Sequence, residues 1–294
     1  MSKLRAVEAK TVEPSKPKIL IYGKSGAGKT WGALDFPAAY YVDTEGGASH
    51  DHYTDKLKAS GGSYFGPDQG SMSFSEIINE VKSLATEKHQ FKTLIIDSIT
   101  KIYNDEIAKE AEKLGEKDAF GASKKPAVAY MRQLVRWLGR LDMNVILISH
   151  EKTEWGMDSK GNRVEIGSTF DCWDKLEYEL DLALCIIKNG PTRTAKVRKS
   201  RLIQFADASF FPWGYEEFSK RYGRDTIERD GKQVILATEE QLEELKNLLE
   251  VVKIKEGQIE AWLKKANVDA FNEMDSSKLA SLISHIRSTI PQLA

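Results

Sequence analysis

The chain has 294 residues, of which 41% are hydrophobic and 30% are charged, and its formal net charge is −1. This composition is typical of a soluble globular protein with one large domain and a small one. No apolar run approaches the roughly 18 residues that a membrane-spanning helix needs. A near-neutral charge is also unusual for a stand-alone nucleic-acid binder, so any such contact must come from a local basic patch or from weak sites repeated across an oligomer.

The N-terminal segment and the cysteines bear on the cellular compartment. Residues 1–17 are polar and contain Pro14 and Pro17, so we expect a flexible arm that lacks the apolar core of a signal peptide. Cys172 and Cys185 are the only cysteines and form no C-x-x-C pair, which argues against a disulfide framework or a zinc ribbon. These features predict a reduced, cytoplasmic compartment and no membrane partner.

A short apolar strand at 18–22 leads into Gly-Lys-Ser-Gly-Ala-Gly-Lys-Thr, which has the G-x-x-x-x-G-K-T spacing of a phosphate-binding loop. The glycines let backbone N–H groups curl around a phosphate with no Cβ in the way. Lys29 can reach the β- and γ-phosphates and Thr30 can place its hydroxyl on Mg²⁺, so we predict ATP and Mg²⁺ as cofactors. A chance glycine-rich turn is the alternative. The predicted nucleotide-binding residues are Gly23, Lys24, Ser25, Gly26, Ala27, Gly28, Lys29, Thr30 and Trp31.

A second strand follows a short helix at about residues 29–34 and ends in the Glu45 of Val-Asp-Thr-Glu-Gly. The N-terminal end of that helix is expected to point at the bound anion. Glu45 should emerge at the carboxyl edge of the sheet, where open α/β sheets bind their ligands. A carboxylate held there near the γ-phosphate could orient and deprotonate a water molecule.

A buried strand at 91–97 ends in Asp97, which suits a second Mg²⁺ ligand beside the phosphate loop. An ordinary strand-end aspartate is the alternative interpretation. In many ATPases a glutamate follows this aspartate directly, but here the next residue is Ser98. Glu45 is therefore the best candidate for the catalytic base.

Apolar strands alternate with amphipathic helices along much of the chain. Continuous apolar strands of this kind predict an α/β fold with a mainly parallel sheet covered on both faces. A turn at 189–191 between two later strands predicts an antiparallel hairpin at the edge of the sheet. The further predicted elements are helices at 73–86, 101–114 and 126–141, a mobile loop at 115–125, strands at 143–149, 182–188 and 194–199, and a surface loop or hairpin at 151–170.

Two motifs resemble those of RecA/RadA-type recombinases. Val-Asp-Thr-Glu-Gly at 42–46 is similar to their strand-two motif, and Ile-Ile-Asp-Ser at 95–98 is similar to their Walker B motif. The resemblance implies a RecA-like P-loop NTPase fold and the role of catalytic base for Glu45. His150 takes the place of their sensor residue, which is usually Gln, and this implies that it senses the γ-phosphate. A plain strand-end histidine is the alternative for His150.

A late basic segment, Lys-Val-Arg-Lys-Ser-Arg at 196–201, resembles the strand whose basic residues reach the neighbouring subunit's ATP in RecA-type filaments. The resemblance implies that the chain forms a ring or a filament. It also implies that Lys199 and Arg201 offset the negative charge that develops on the transferred phosphoryl group. The alternative is a solvated basic edge strand, which discourages pairing between sheets.

Over about residues 18–215 the arrangement looks most like compact phage-encoded RecA-like ATPases, some of which are single-strand annealing proteins of the Sak type. That broad phage family shares the Ser-His-Glu-Lys at 149–152. The resemblance implies a role in recombination or annealing, and a bacterial host cytoplasm if the chain is phage-encoded.

The loop after the sensor strand is where RecA-type proteins bind single-stranded DNA, and here that loop is the segment 151–170. The segment offers cations for phosphates and an aromatic side chain for base stacking, which together suit a single strand. A polar lid or an oligomer contact is the alternative. The DNA contacts that the resemblance implies are Lys152, Trp155, Lys160 and Arg163.

The sequence changes in character at Thr238, which is predicted to cap a helix with glutamates in its first turn. This helix is the first of three short amphipathic helices with apolar residues at helical spacing. We predict a core domain at 18–235 and a helical domain at 236–294, with residues 238–294 docking a single-strand-binding or replication protein. A passive packing module is the alternative.

These patterns favour a Mg²⁺-dependent ATPase that acts on single-stranded DNA. The second hypothesis is a nucleotide-switched replication or assembly factor, such as a helicase loader, whose terminal helices hold a protein partner. A nucleotide or small-molecule kinase is a weaker hypothesis, because it would normally carry an arginine-rich lid that we do not identify in the sequence.

Overall fold

The computed structural model of the chain describes residues 14–47, 50–115, 118, 121–252 and 254–289. The chain divides into two compact units. The first unit takes the residues up to 77 together with 90–132 and 142–231, and the second takes 78–89, 133–141 and the residues from 232 onward. None of the described helices combines the length and the apolar character that crossing a membrane requires.

The first unit is built around one large sheet. The described strands are β1 (Lys18–Tyr22), β2 (Ala39–Asp43), β3 (Ser63–Phe65), β4 (Thr93–Asp97), β5 (Asn144–Ser149), β6 (Glu151–Met157), β7 (Arg163–Phe170), β8 (Leu182–Asn189), β9 (Thr192–Ser200) and β10 (Phe210–Pro212). Eight of them form the sheet in the order β10-β9-β8-β1-β5-β4-β2-β3. Among the described strand pairs of this sheet, only β8–β9 and β9–β10 are antiparallel. The predicted α/β class, with a mainly parallel sheet and a late antiparallel hairpin, is confirmed.

Helices connect most of the strands. The described α-helices are α1 (Lys29–Ala33), α2 (Asp51–Ala59), α3 (Phe74–Thr86), α4 (Ile99–Leu114), α5 (Lys124–Arg140), α6 (Leu176–Glu179), α7 (Tyr215–Tyr222), α8 (Arg224–Glu228), α9 (Glu239–Val251), α10 (Gln258–Ala266) and α11 (Ser276–Thr289). The helices predicted at 73–86 and 101–114 are confirmed as α3 and α4. The hydroxyl of Ser98 accepts from the backbone N–H of Lys101 at 3.2 Å, so α4 begins two residues earlier than predicted.

Several short elements were not predicted. Helix α2 has nine residues and β3 has three, which is too few for a hydrophobic period to stand out. Within the predicted mobile loop at 115–125, residues 116, 117, 119 and 120 lie outside the described residues. The helix predicted from Pro126 already begins at Lys124.

The strand order brings the carboxyl ends of four strands together at one edge of the sheet. β5 lies between β1 and β4, so that Tyr22 is opposite Ser149 and Ile148 is opposite Asp97. β2 pairs with β4 on the other side and puts Asp43 opposite Asp97. Every residue of β4 and β5 is buried, as expected for strands covered on both faces. The loop after β1, the end of β4 and the residue after β5 therefore meet.

Helix α1 packs through a glycine. A Cβ on Gly32 would lie 2.2 Å from the indole nitrogen of Trp213, so a larger residue does not fit. The same indole N–H donates to the backbone oxygen of Gly28 at 3.2 Å. The segment after β10 therefore holds the phosphate loop and the start of α1 in place.

Strands β6 and β7 form a separate two-stranded antiparallel sheet directly after β5. The sequence left open whether this segment is a loop or a hairpin, and the structure shows a hairpin. Its pairing shifts between Glu154 and Trp155, and the guanidinium of Arg198 donates to both carboxylate oxygens of Glu154 at 3.0 and 2.8 Å. The hairpin is therefore tied to β9. The exposed large apolar side chains of the hairpin are Trp155, Met157 and Ile166.

The arm predicted at residues 1–17 ends earlier than expected. Residues 1–13 lie outside the described residues, but Lys16 is 1% exposed. Its ammonium donates to the backbone oxygens of Ile227 and Arg229 at 3.0 and 2.5 Å. The prediction of a flexible arm was wrong for Lys16, because its two acceptors come from a segment more than 200 residues away in the chain.

The second unit contains the C-terminal helices. Thr238 caps α9 as predicted, and its hydroxyl and the side chain of Gln241 form a capping box. The buried core of this unit consists of Leu245, Met274, Leu279, Ile283 and Ile286.

The second unit also includes residues 78–89, which contain the end of α3, and residues 133–141, which contain the end of α5. The composition did not assign either segment to it. Lys82 pairs with Glu273 at 2.7 Å. Arg140 pairs with Asp275 at 2.7 Å. Such long-range pairs explain why composition alone did not reveal this grouping. The predicted domain boundary after residue 235 stays a prediction.

Candidate nucleotide-binding site

The loop between β1 and α1 has the backbone shape for which its glycines are suited. Gly26 and Gly28 have φ angles of +71° and +86°, which residues with a Cβ rarely adopt. Gly28 is also the N-cap residue of α1. A glycine-rich loop of this kind can direct successive backbone N–H groups toward one anion.

The side chain of Lys29 folds back along this loop. Its ammonium donates to the backbone oxygens of Gly23 and Lys24 at 2.7 and 3.1 Å. Burial lowers the pKa of Lys29, while the carboxylates of Asp97 and Glu45 act in the opposite direction. Lys29 is therefore a cation placed close to acidic side chains of the site.

Thr30 and Asp97 form the part of the site that suits a divalent cation. The hydroxyl of Thr30 donates to Oδ2 of Asp97 at 2.5 Å, and the hydroxyl of Tyr41 donates to the same oxygen at 3.3 Å. Burial raises the pKa of Asp97 to about 6, although the hydrogen bond from Thr30 favours the ionised form. A hydroxyl and a carboxylate are oxygen ligands of the kind that Mg²⁺ binds.

The two oxygen donors, Thr30 and Asp97, suit Mg²⁺ better than they suit a metal that takes all its ligands from the protein. Among the described residues, no group of three or more His, Cys, Asp or Glu side chains is arranged to hold a metal ion. Mg²⁺ commonly keeps several waters and takes one or two protein ligands together with substrate phosphates. Thr30 and Asp97 would hold it here.

Glu45 is held by two partners at the same edge. Its Oε1 lies 2.7 Å from Nε2 of His150, and it also accepts a hydrogen bond from the hydroxyl of Ser98. The side chains of Glu45 and His150 are 38% and 49% exposed, so water can reach both. The arrangement orients a solvent-accessible carboxylate beside the phosphate loop, as a general base requires.

A network of hydroxyl groups fixes the backbone at His150. The backbone N–H of His150 donates to Oγ1 of Thr100 at 2.9 Å. Oγ1 of Thr100 also lies 2.9 Å from the hydroxyl of Ser149 and donates to the backbone oxygen of Asp171 at 2.7 Å. The end of β5, the start of α4 and the segment after β7 are thereby joined.

One open cavity of about 980 Å³ connects these groups. Its size is in the range of small-molecule and cofactor sites. Its lining includes the side chains of Lys29, Thr30, Glu45, Asp97 and His150. The hairpin contributes Glu151, Lys152, Thr153, Glu165, Gly167 and Ser168. The structure therefore brings the predicted phosphate, metal, base and sensor residues to one site.

Trp31 does not line this cavity. The residue is 47% exposed, and the ammonium of Lys56 lies 3.9 Å from the centroid of its ring. His52 and Tyr53 lie next to the same ring, with centroids at 6.0 and 6.1 Å. A contact between Trp31 and the nucleotide stays a prediction.

Lys199 and Arg201 lie away from the phosphate loop of their own chain. Ser200 pairs with Leu182, so Lys199 and Arg201 are level with the start of β1, whereas the loop follows its end. Their side chains donate to the backbone oxygens of Leu180 and Tyr178, respectively. A role at the ATP of a neighbouring subunit stays a prediction.

The residues predicted to contact DNA lie on the hairpin or in its turn. The guanidinium of Arg163 lies 4.6 Å from the ring centroid of Trp155. The ammonium of Lys152 is 3.2 Å from the carboxylate of Asp174. Lys160 lies in the turn between the strands. Trp155 and Arg163 thus form an exposed aromatic–cation pair, while Lys152 faces a carboxylate.

The family comparison agrees with this geometry. A family model described as an AAA domain matches residues 15–209, which is more than half of the chain. The chain belongs to this AAA domain family. Membership indicates a nucleotide-binding ATPase, and the matched range contains the phosphate loop, Glu45, Asp97 and His150. No curated protein matches the chain's sequence.

Sequence reasoning missed several polar residues of this AAA domain. Ser98 was noted as the residue that stands where many ATPases have a glutamate and as the last residue of the Ile-Ile-Asp-Ser motif. Its contact with Glu45, to which its hydroxyl donates, was not predicted. Thr100, which accepts from the backbone N–H of His150, belonged to no motif. Neither did Arg193, whose side chain lies against Gly28 of the phosphate loop. Neutral hydroxyls and single arginines give no periodic signal, and their partners are set by the order of the strands.

Proposed function

We propose that this AAA domain protein is a Mg²⁺-dependent ATPase that acts on single-stranded DNA in recombination or annealing, as phage-encoded RecA-like ATPases do. The ATPase part is supported by one cavity that contains a phosphate loop, an oxygen ligand pair and an oriented carboxylate. ATP, when bound with Mg²⁺, supplies the phosphoanhydride bond that is cleaved.

Each residue of the site has a distinct task in this proposal. Lys29 and the loop amides bind the phosphates, and Thr30 and Asp97 hold the metal. Glu45 orients a water molecule and accepts its proton. His150 and Ser98 keep the carboxylate of Glu45 aimed into the cavity, because both bond to its Oε1.

The position of the β6–β7 hairpin carries the DNA part of the proposal. One end of the hairpin lines the nucleotide cavity through Lys152 and Ser168. Farther along, it exposes the Trp155–Arg163 pair, which offers a base-stacking surface and a cation for a phosphate. A strand bound there contacts the element that follows His150 directly, so DNA binding and hydrolysis become coupled.

ATP turnover measured together with oligonucleotide binding tests this proposal. We expect phosphate release to require Mg²⁺, to disappear in Lys29→Ala and to increase when a single-stranded oligonucleotide is added at low salt. Lys58→Ala is the matched control, because its side chain is 77% exposed. Wild-type protein that releases no phosphate contradicts the ATPase. If the wild-type protein hydrolyses ATP but neither binds the oligonucleotide nor changes its rate when it is added, the DNA part of the proposal is contradicted.

We further propose that ATP binds between subunits of a ring or filament and that Lys199 and Arg201 serve the neighbouring site. A mixing experiment tests this directly. A Lys199→Ala/Arg201→Ala protein and a Glu45→Gln protein should each be inactive, and mixing them should restore turnover, because some mixed sites hold both intact sets. Two assembled variants that stay inactive after mixing contradict the shared site.

A second candidate function is a nucleotide-switched assembly factor that holds a protein partner through residues 238–294. It is favoured by a groove of about 510 Å³ between α10 and α11, lined by the apolar Trp262 and Leu282 and by the basic Lys265, Lys278 and His285. We would measure capture of a purified single-strand-binding protein by the full chain and by Lys265→Glu. Capture that depends on ATP and on Lys265, without DNA binding by the chain, favours this function over the first.

A further inference from the structure

Strand β9 begins at the same edge of the sheet as the phosphate loop. It runs antiparallel to β8, which lies next to β1, and Arg193 pairs with Lys188 near the turn between the two strands. Arg193 therefore lies at the opposite end of β9 from Lys199. Its side chain shares a face of the strand with the buried Ala195, the face on which Trp213 and α1 pack.

The side chain of Arg193 touches the phosphate loop itself. A Cβ on Gly28 would lie 2.9 Å from Nε and 3.1 Å from Cδ of Arg193. A residue larger than glycine at position 28 would require the arginine side chain to move. Trp213 fixes the backbone of both residues. Its backbone N–H donates to the backbone oxygen of Arg193 at 2.8 Å, and its indole N–H donates to the backbone oxygen of Gly28.

The charge of Arg193 has no carboxylate partner within the described part of the chain. Nη1 donates to the backbone oxygens of Gly190 and Thr192 at 3.2 and 3.1 Å. By contrast, Arg198 and Arg229 each bind carboxylates. Arg193 is partly buried, and the bonds from its Nη1 are exposed. A guanidinium with only neutral acceptors, set against an anion-binding loop, is suited to bind the anion that the loop holds.

We propose that Arg193 binds the α- and β-phosphates of the nucleotide from the side of Gly28. The proposal rests on the proposed nucleotide-binding function of the loop. In a loop of this type the backbone amides hold the α- and β-phosphates, whereas Lys29 reaches toward the γ-phosphate. Arg193 touches the residue before Lys29, so it contacts the part of the nucleotide that ATP and ADP share. It is a binding residue rather than a stabiliser of the transition state.

The expected effect separates binding from catalysis. Arg193→Gln should raise the Kd for ADP and for ATP by the same factor, about tenfold to a hundredfold, which is the range for losing a charge-assisted hydrogen bond. KM should rise with the Kd, while kcat changes by less than about twofold, because an interaction made equally in the ground and transition states affects KM alone. Arg193→Lys should recover part of the affinity.

The experiment is calorimetric titration of the full chain with ADP and with a non-hydrolysable ATP analogue, together with the melting temperature of the nucleotide-free protein. Lys196→Gln, on the same strand and exposed, is the matched control. An equal loss for both nucleotides at an unchanged nucleotide-free melting temperature supports the proposal. Unchanged affinities, a loss for the ATP analogue alone, or a loss that accompanies a lower nucleotide-free melting temperature overturns it. Wild-type protein that binds neither nucleotide would instead refute the proposed function.

Discussion

The hydroxyl of Thr30 lies 2.5 Å from Oδ2 of Asp97, although 67 residues separate them in the chain. The bond joins the start of α1, which follows β1, to the end of β4. β1 and β4 are not adjacent in the sheet, because β5 lies between them. Two oxygen groups that suit a divalent cation are thereby set side by side, and Lys29 immediately precedes Thr30 in the chain. The metal requirement of the proposed reaction depends on this pair.

Asp97→Asn should abolish Mg²⁺-dependent turnover while leaving the nucleotide-free protein at least as stable as wild type. The amide keeps an acceptor for Thr30 but cannot neutralise a divalent cation. Burial already disfavours the ionised carboxyl and raises its pKa to about 6, so removing the charge costs no folding free energy at pH 8. The effect on turnover is checked by measuring phosphate release as a function of Mg²⁺ concentration. The effect on stability is checked by urea unfolding. Wild-type turnover in Asp97→Asn would refute the metal assignment.

Glu45→Gln should retain ATP binding and lower the turnover number by about a hundredfold or more, the scale of a lost general base. The glutamine can still accept from Ser98, so the local structure is expected to persist. Titration with ATP and single-turnover phosphate release are the measurements. His150→Gln is the companion variant and should lower turnover less, because it orients Glu45 without accepting the proton. Full turnover in Glu45→Gln would show that another group is the base.

Trp155→Ala and Arg163→Gln should each weaken binding of a single-stranded oligonucleotide. Loss of a stacking platform should cost about 1–3 kcal/mol of binding free energy per base, whereas loss of a phosphate contact should mainly reduce the salt dependence. Fluorescence anisotropy at several salt concentrations distinguishes the two effects. Met157→Ala is the control, because it exposes an apolar side chain on the same hairpin without a ring or a charge. Equal weakening in all three variants would indicate a general disturbance of the hairpin.

The free energy of unfolding should rise with pH between about 8 and 10, partly because of Lys16. Burial, reinforced by Arg229, lowers the pKa of Lys16 from 10.5 to about 8 in the folded chain. In this pH window the unfolded chain binds more protons at this residue than the folded chain does, so stability increases with pH. The contribution is on the order of 1–2 kcal/mol.

Lys16→Met should therefore reduce the gain in stability between pH 8 and 10, as measured by urea unfolding at each pH. The change with pH is the relevant quantity, because the substitution also leaves the backbone oxygens of Ile227 and Arg229 without their donor at every pH. Lys58→Met is the control, since its side chain is 77% exposed. An identical pH dependence in Lys16→Met and wild type would show that Lys16 keeps an ordinary pKa.

Local patterns in the sequence were sufficient for the phosphate loop, for Asp97 and for the class of fold. The loop is encoded by the spacing of glycines that adopt positive φ angles, and no distant residue is needed to recognise it. Asp97 was recognisable because a continuous apolar strand ends there, and such strands are buried in parallel sheets. Likewise, the late hairpin followed from one turn between two strands.

Only the tertiary structure decided which of these residues meet. Glu45 and His150 are 105 residues apart and come together because β2 and β5 flank β4 in the sheet. The same strand order puts Arg193, and not Lys199, beside Gly28. Backbone conformation and strand burial depend on neighbours in the chain, whereas strand order and register depend on packing between distant segments, which no local pattern encodes.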